Sequence, residues 1–176
     1  IVGSFGKDER VLAWDVWNEP DNEGGGSGYY TPRESRHKFD RVAELLPKVF
    51  AWARSQKPSQ PLTSGLWHNP DWNRLEKLNR VEKVQIEQSD VISFHTYAWP
   101  EDFEQRVREL EVYGRPLLCT EYLARGAGST VDGVLPVAKK RNVAMYNWGF
   151  VDGKTQTRFP WDSWNQSVGG FCVYGR

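Results

Sequence analysis

Apolar runs that end at polar residues alternate along this chain with segments in which apolar residues recur at helical spacing. Five such runs predict buried strands, which begin near residues 11, 62, 91, 116 and 143. Amphipathic spacing predicts helices over about 31–53, 101–113 and 130–140, with a mixed segment over 71–84 and a last helical turn that ends at Gly6. This alternation indicates parallel βα units in one α/β domain that covers residues 1–176.

The most informative run is the decapeptide Val11–Pro20, which reads Val-Leu-Ala-Trp-Asp-Val-Trp-Asn-Glu-Pro. It is apolar on both faces, as strands of parallel sheets are, and Pro20 ends it because proline cannot donate to a strand ladder. Asn18 and Glu19 therefore fall at the carboxyl end of the strand, where α/β proteins build their sites. An isolated Asn-Glu pair is more often a solvated strand end, so the other strand ends decide the interpretation.

Three later strands also end in polar or aromatic side chains. Glu121 lies near the end of the run Pro116–Tyr122, and Trp148 lies near the end of the run Val143–Phe150. His95 and Tyr97 close a third strand, and their alternate positions direct both side chains to one face. Glycoside hydrolases use two carboxyl groups at one sheet edge, one as acid/base and one as nucleophile. A tyrosine hydroxyl beside a carboxylate can orient it, and a histidine can do so or bind a sugar hydroxyl, so His95 and Tyr97 are candidate substrate-binding residues.

Composition narrows the class of protein. Lys and Arg number 23 and Asp and Glu number 23, so the chain offers no basic field for nucleic acid and no polybasic patch for a membrane surface. Nine Trp, seven Tyr and eight Phe suit either a Trp-rich core or a sugar-binding surface, because pyranose faces pack on indole rings. No apolar run approaches a membrane span.

The sequence lacks the motifs expected of phosphate-binding, dinucleotide-binding and metal-binding proteins. The glycine-rich run at 24–28 reads as a loop and lacks the Lys-Ser/Thr of a phosphate cradle, and no dinucleotide-binding glycine pattern follows a strand. His37, His68 and His95 are dispersed, so we expect no metal and no cofactor. Cys119 lies in an apolar run and is expected to be buried, while a single disulfide with Cys172 stays open.

Four elements together resemble the retaining glycoside hydrolases of the large (β/α)8 clan that includes family 5 cellulases and mannanases. Trp17-Asn18-Glu19-Pro20 is similar to the fourth-strand motif of that clan, and Phe94-His95-Thr96-Tyr97 to its sixth-strand His-x-Tyr. Glu121 in Leu-Leu-Cys-Thr-Glu-Tyr is similar to the seventh-strand nucleophile, and Trp148 to the eighth-strand tryptophan.

The resemblance implies a residue-by-residue assignment. Glu19 would be the acid/base and Glu121 the nucleophile, while Asn18 would bind the sugar 2-hydroxyl. Tyr97 or His95 would hold Glu121 in place, and Trp148 would form the floor of the subsite that binds the attacked sugar. Further subsite candidates, each equally suited to packing, are Trp67, Trp99, Trp161 and Trp164. Burial and the charge of Glu121 would raise the pKa of Glu19. The substrate would be a β-linked poly- or oligosaccharide, and secretion is expected from the resemblance.

The resemblance also implies that the barrel is incomplete. A complete barrel of this type has eight strands and about 250 residues or more, and only the equivalents of strands four to eight are found here. The first three strands, with an arginine that supports the nucleophile, would be absent. Two hypotheses for the function therefore stay open, an enzyme and a non-catalytic carbohydrate-binding half-barrel. The open edges predict self-association, so a homo-oligomer is the expected assembly.

Overall fold

A computed structural model describes residues 1–22, 36–68, 71–149 and Thr157. Its helices are α1 (Val2–Phe5), α2 (Lys38–Ser55), α3 (Arg80–Gln88), α4 (Pro100–Glu111) and α5 (Val131–Lys140). Its strands are β1 (Trp14–Asp15), β2 (Leu62–Thr63), β3 (Ile92–His95), β4 (Leu117–Tyr122) and β5 (Ala144–Asn147). Short 3-10 turns lie at Leu75–Lys77 and Arg125–Ala127. The mixed α/β class predicted from the sequence is confirmed.

The strands form two small parallel sheets. β1 pairs with β2, and β3, β4 and β5 form a three-stranded sheet in chain order. A parallel bridge between Leu66 and Phe94, with the Leu66 carbonyl accepting from the His95 N–H at 2.7 Å, connects the segment after β2 to β3. All five strands therefore run in one direction, so their carboxyl ends meet at a common edge. The described strands do not form a closed barrel, since β1 and β5 each have one strand neighbour there.

Helices cover one side of these sheets and form two apolar clusters. The larger cluster packs α4 and α5 on the three-stranded sheet through residues that include Phe94, Phe103, Val107, Cys119 and Val134. The smaller cluster packs α2 and α3 against β2 through Val42, Leu46, Phe50, Ala53, Leu62 and Val81. Helix packing on one face leaves the other face, and the strand ends, available for polar side chains.

Helix boundaries follow local capping chemistry. Asn79 caps α3 by accepting from the Val81 and Glu82 N–H groups, and the Glu82 carboxylate accepts from the Asn79 N–H in return, which completes a capping box. Pro100 occupies the first turn of α4, where a missing N–H costs nothing. The Thr130 hydroxyl caps α5 by accepting from the Gly133 N–H at 3.2 Å.

Several predicted boundaries differ from the observed ones. The mixed segment over 71–84 contains a 3-10 turn and then α3, whose capping box the hydrophobic pattern did not reveal. The strand predicted from Val11 is regular only over Trp14–Asp15, and α2 begins at Lys38 after a turn at 36–37. The predicted helix start at Thr31, the loop at 24–28 and the strand end at Phe150 lie outside the described residues.

Gly6 ends α1 as predicted, but in a right-handed conformation with φ −67° rather than the left-handed one expected of a helix-capping glycine. A Cβ built there would lie 2.7 Å from the Val2 carbonyl oxygen and 3.2 Å from the Cα of Pro58. Close packing, not backbone freedom, therefore favours glycine at this position.

The two outer strands leave apolar surface exposed. Beside β1 an open groove of about 860 Å³ is lined by Val2, Trp14, Val16, Val49, Trp52 and other residues of α1 and α2. On β5 the Tyr146 side chain is 47 % exposed. Among the described helices, none has both the length and the apolar character that crossing a membrane requires.

Candidate active site

Two carboxylates meet at the carboxyl edge of the strands. Glu19 lies four residues after the end of β1, and Glu121 is the penultimate residue of β4. One carboxylate oxygen of Glu19 and one of Glu121 lie within 4.8 Å of each other. Both side chains are largely buried, with 14 % and 12 % of their surface exposed. The fold therefore brings together the two glutamates that the sequence singled out, although they are far apart in the chain.

His95 stands between the two carboxylates at the end of β3. Its Nδ1 lies 2.5 Å from Glu19 Oε1 and 3.7 Å from Glu121 Oε2. Its Nε2 lies 3.0 Å from the hydroxyl oxygen of Thr120. Because the side chain is only 2 % exposed, these groups define its hydrogen bonding. Of the two residues proposed from the resemblance to hold Glu121, His95 therefore lies closer to Glu19 than to Glu121.

Tyr97 is placed as predicted beside Glu121. Its hydroxyl donates to Glu121 Oε2 at 2.6 Å. Burial raises the pKa of Tyr97 far above its ordinary value, and the hydrogen bond to Glu121 and the negative charges of Glu121 and Glu19 raise it further. Tyr97 is therefore protonated at neutral pH and donates its hydroxyl hydrogen to Glu121.

A β-bulge in β4 directs Glu121 toward His95. Phe94 pairs with Cys119 and His95 pairs with Glu121, so Thr120 is the extra residue on β4. Cys119 and Tyr122 on either side of the bulge belong to the apolar core. Strict alternation would send Thr120 and Glu121 to opposite faces, but the bulge lets both side chains reach His95. Thr120 is a site residue that the sequence pattern did not reveal, because a bulge has no periodic signature.

Backbone strain accompanies Glu19. Its φ is +41°, a conformation that side chains other than glycine rarely adopt, and Pro20 restricts it further. A turn holds it there, because the Asn22 N–H donates to the Glu19 carbonyl at 3.0 Å and the Asn22 amide donates to Glu19 Oε2 at 2.5 Å. The Lys38 ammonium also donates to the Asn22 carbonyl. Such over-determined strain is typical of functional positions, and Asn22 is a second residue that the sequence did not indicate.

The protonation of Glu19 differs from the prediction. Burial raises the pKa of Glu19, but the hydrogen bonds from His95 and Asn22 and the positive charge of His95 outweigh burial. The net pKa therefore lies below the usual glutamate value of 4.5. The predicted rise was wrong because sequence did not reveal that two donors converge on this carboxylate. Glu19 is therefore ionised at neutral pH.

The geometry of this cluster favours a hydrogen bond between His95 and Glu19 over a metal ion. Ligand atoms bonded to one Zn²⁺ at about 2.0–2.2 Å with tetrahedral angles stand more than about 3 Å apart. His95 Nδ1 and Glu19 Oε1 are 2.5 Å apart, which is a hydrogen-bond distance. An ion could bind here only if this hydrogen bond were broken, so we assign no metal to the cluster.

A cavity of about 430 Å³ opens beside the carboxylates. It is lined by Glu19, Trp67, Trp72, His95, Thr96, Tyr97, Ala98 and Arg106. The Trp67 indole N–H donates to Asp21 at 2.8 Å, which fixes one edge of its ring, while Trp72 is fully buried and forms a wall. An apolar aromatic wall beside fixed polar groups is the usual composition of a small-molecule site. Of the predicted subsite tryptophans, Trp67 is the one that lines this cavity in the described part of the chain.

The other predicted binding residues surround the cluster without lining this cavity in the described structure. Asn18 is exposed, and Trp148 is 38 % exposed after β5. Trp99 is 62 % exposed, and its ring covers Gly128, where an added Cβ would lie 2.3 Å from ring atoms. The inner face of Trp99 is therefore supported by backbone. Trp161 and Trp164 lie outside the described residues.

Comparison with known proteins does not assign the chain to a family. No protein-family model matches the chain, and no curated protein matches it. The function must therefore be argued from the geometry of the site.

Proposed function

We propose that this chain is the catalytic part of a retaining β-glycoside hydrolase with a (β/α)8 barrel architecture, of which it supplies strands four to eight. The observation that carries the proposal is the spacing of the carboxylates of Glu19 and Glu121, whose oxygens lie within 4.8 Å. Retaining glycosidases hold their two carboxyl groups about 5–5.5 Å apart, whereas inverting ones leave about 6.5–9.5 Å for a water molecule. The short spacing favours direct attack by a carboxylate.

In the proposed first step, a Glu121 oxygen attacks the anomeric carbon and forms a glycosyl ester. The bond from that carbon to the leaving oxygen breaks, and the leaving oxygen takes the proton of Glu19. Tyr97 supports this role of Glu121, because its donated hydrogen bond fixes the position of the attacking carboxylate.

In the second step, Glu19 removes a proton from water, and the water oxygen attacks the same carbon. The ester bond breaks and Glu121 leaves as a carboxylate, so the configuration is restored. The ionised state of Glu19 suits this step, since His95 and Asn22 stabilise the carboxylate that acts as base. The first step needs protonated Glu19, so the lowered pKa of Glu19 favours an acidic pH optimum.

The surroundings of the carboxylates support a carbohydrate substrate. Trp67 provides an aromatic wall within the cavity, and Trp99 and Trp148 present exposed rings near the same strand ends. Asn18 precedes Glu19 and is proposed to bind the 2-hydroxyl of the attacked sugar. The chain-order adjacency of five parallel strands supports the barrel architecture, whose completion would cover the outer sides of β1 and β5.

Non-catalytic carbohydrate binding is the second candidate function. The observation that favours it is the lowered pKa of Glu19, which works against a general acid. Under this alternative the same aromatic residues bind a glycan and the glutamates do not turn it over. Binding without turnover distinguishes it from the leading proposal.

The test is hydrolysis of a panel of activated aryl β-glycosides and β-1,4-linked oligosaccharides between pH 4 and 7, with the anomer of the first-formed product read by NMR. We expect retention, and we expect Glu19→Gln and Glu121→Gln to lower kcat/KM on the oligosaccharides by at least about 1,000-fold. Glu76→Gln, at an exposed glutamate in a 3-10 turn, is the matched control and should be neutral. Inversion of configuration, or full activity of Glu121→Gln, would contradict the proposal.

A further inference from the structure

Thr120 holds the side of His95 that faces away from Glu19. The Thr120 hydroxyl lies 3.0 Å from Nε2, while Nδ1 contacts Glu19 Oε1 at 2.5 Å. The backbone of Gly65 closes the space next to Nε2, since a Cβ built at Gly65 would lie 2.8 Å from this nitrogen. The imidazole is thus enclosed, and the bulge that creates residue 120 supplies the hydrogen-bonding group at Nε2.

We propose that Thr120 is a positioning residue whose hydroxyl keeps the His95 ring in the orientation and tautomer in which Nδ1–H donates to Glu19. An ionised carboxylate only accepts hydrogen bonds, so Nδ1 must carry a proton whenever it bonds to ionised Glu19. In a neutral imidazole Nε2 is then an acceptor, and the Thr120 hydroxyl donates to it. In a protonated imidazole Nε2–H donates to the Thr120 oxygen. A hydroxyl satisfies both states without moving the ring.

This arrangement links Thr120 to the protonation of Glu19. The hydrogen bond from Nδ1–H favours the Glu19 carboxylate, which burial alone would disfavour. When the hydroxyl of residue 120 is removed, Nε2 loses its partner, the Nδ1–H form is less favoured and Glu19 binds its proton more tightly. The other titratable groups around the ring, Asp15, Tyr97, Cys119 and Glu121, and Arg106 on the cavity wall are unchanged by that substitution.

The catalytic consequence rests on the proposed function, but the effect on the ring does not. The chain has three histidines, so long-range ¹H–¹⁵N spectra of the imidazoles contain three residues, and His95→Gln identifies the signals of His95. We expect Thr120→Val to shift the Nδ1 and Nε2 signals of His95, whereas Thr120→Ser should keep them. Thr63→Val removes a buried strand hydroxyl that contacts Ser93, and it should leave the His95 signals in place.

The second measurement is the pH profile of kcat/KM. We expect its basic limb to move to higher pH by about half a unit or more in Thr120→Val, and Thr120→Ser to restore the wild-type limb. If Thr120→Val does not fold, Thr120→Ala removes the hydroxyl with less bulk and gives the same readouts. Unchanged His95 signals in the folded variant would overturn the inference whether or not the protein hydrolyses glycosides. Shifted signals in a protein without turnover would support it and would count against the proposed function alone.

Discussion

Replacing Tyr97 by phenylalanine removes one hydroxyl that donates to the proposed nucleophile. The hydroxyl lies 2.6 Å from Glu121 Oε2, and the Glu121 side chain is only 12 % exposed, so water replaces this donor poorly. A hydrogen bond to a charged group contributes about 1.5–3 kcal/mol. At about 1.4 kcal/mol for each factor of ten, we expect Tyr97→Phe to lower kcat/KM by roughly 10- to 150-fold.

Two control variants separate positioning from general destabilisation. Tyr113→Phe removes a hydroxyl that donates to the Trp72 carbonyl, so it should lower the free energy of unfolding by about 1 kcal/mol without changing kcat/KM. Tyr146→Phe, on the exposed face of β5, should change neither quantity. The assay is steady-state hydrolysis of an aryl glycoside, combined with urea unfolding of each variant. Equal activity of Tyr97→Phe and Tyr113→Phe would contradict a positioning role of the Tyr97 hydroxyl.

Three other predictions follow from the described contacts. Asn22→Ala should raise the pKa of Glu19 and reduce the stability that ionised Glu19 contributes above pH about 4.5. In the wild type this contribution is lost as the pH falls through the lowered pKa of Glu19. The free energies of unfolding of the two proteins, measured in urea, should therefore converge in acid. Burial raises the pKa of the Cys119 thiol to about 12, so iodoacetamide at pH 8 should modify this residue only after unfolding, as peptide mass spectrometry would detect; modification of the folded protein would contradict the burial. The groove beside β1 and the exposed face of β5 should make the chain self-associate, so light scattering across a dilution series should show a concentration-dependent mass, and a monomer at every concentration would count against this expectation.

Much of the site could be anticipated from residues at strand ends. Glu19, His95, Tyr97 and Glu121 each follow or end an apolar run, and parallel strands bring such positions to one edge. The pattern of apolar residues was therefore sufficient to predict which residues form the cluster. It also predicted α4 and α5. Their apolar spacing, Pro100 in the first turn of α4 and Thr130 at the N-cap of α5 are local signals.

The irregular backbone features that determine the geometry of the site could not be predicted from the sequence. The bulge at Thr120 depends on register between two strands, which one strand alone does not determine. The positive φ of Glu19 and the donation from Asn22 depend on a turn that packs against Lys38 of another element. The direction of the pKa shift of Glu19 followed from these contacts, so burial alone gave the wrong sign.

The most direct test of the central claim is to trap the glycosyl ester. The protein would be incubated with activated 2-deoxy-2-fluoro β-glycosides of several sugars, which slow the second step more than the first, and then digested for peptide mass spectrometry. We expect one fluoroglycosyl group on the peptide that contains Glu121, retained in Glu76→Gln and absent in Glu121→Gln. A label on Glu19, or no label with any sugar from a protein that hydrolyses β-glycosides, would contradict the assignment of Glu121 as nucleophile.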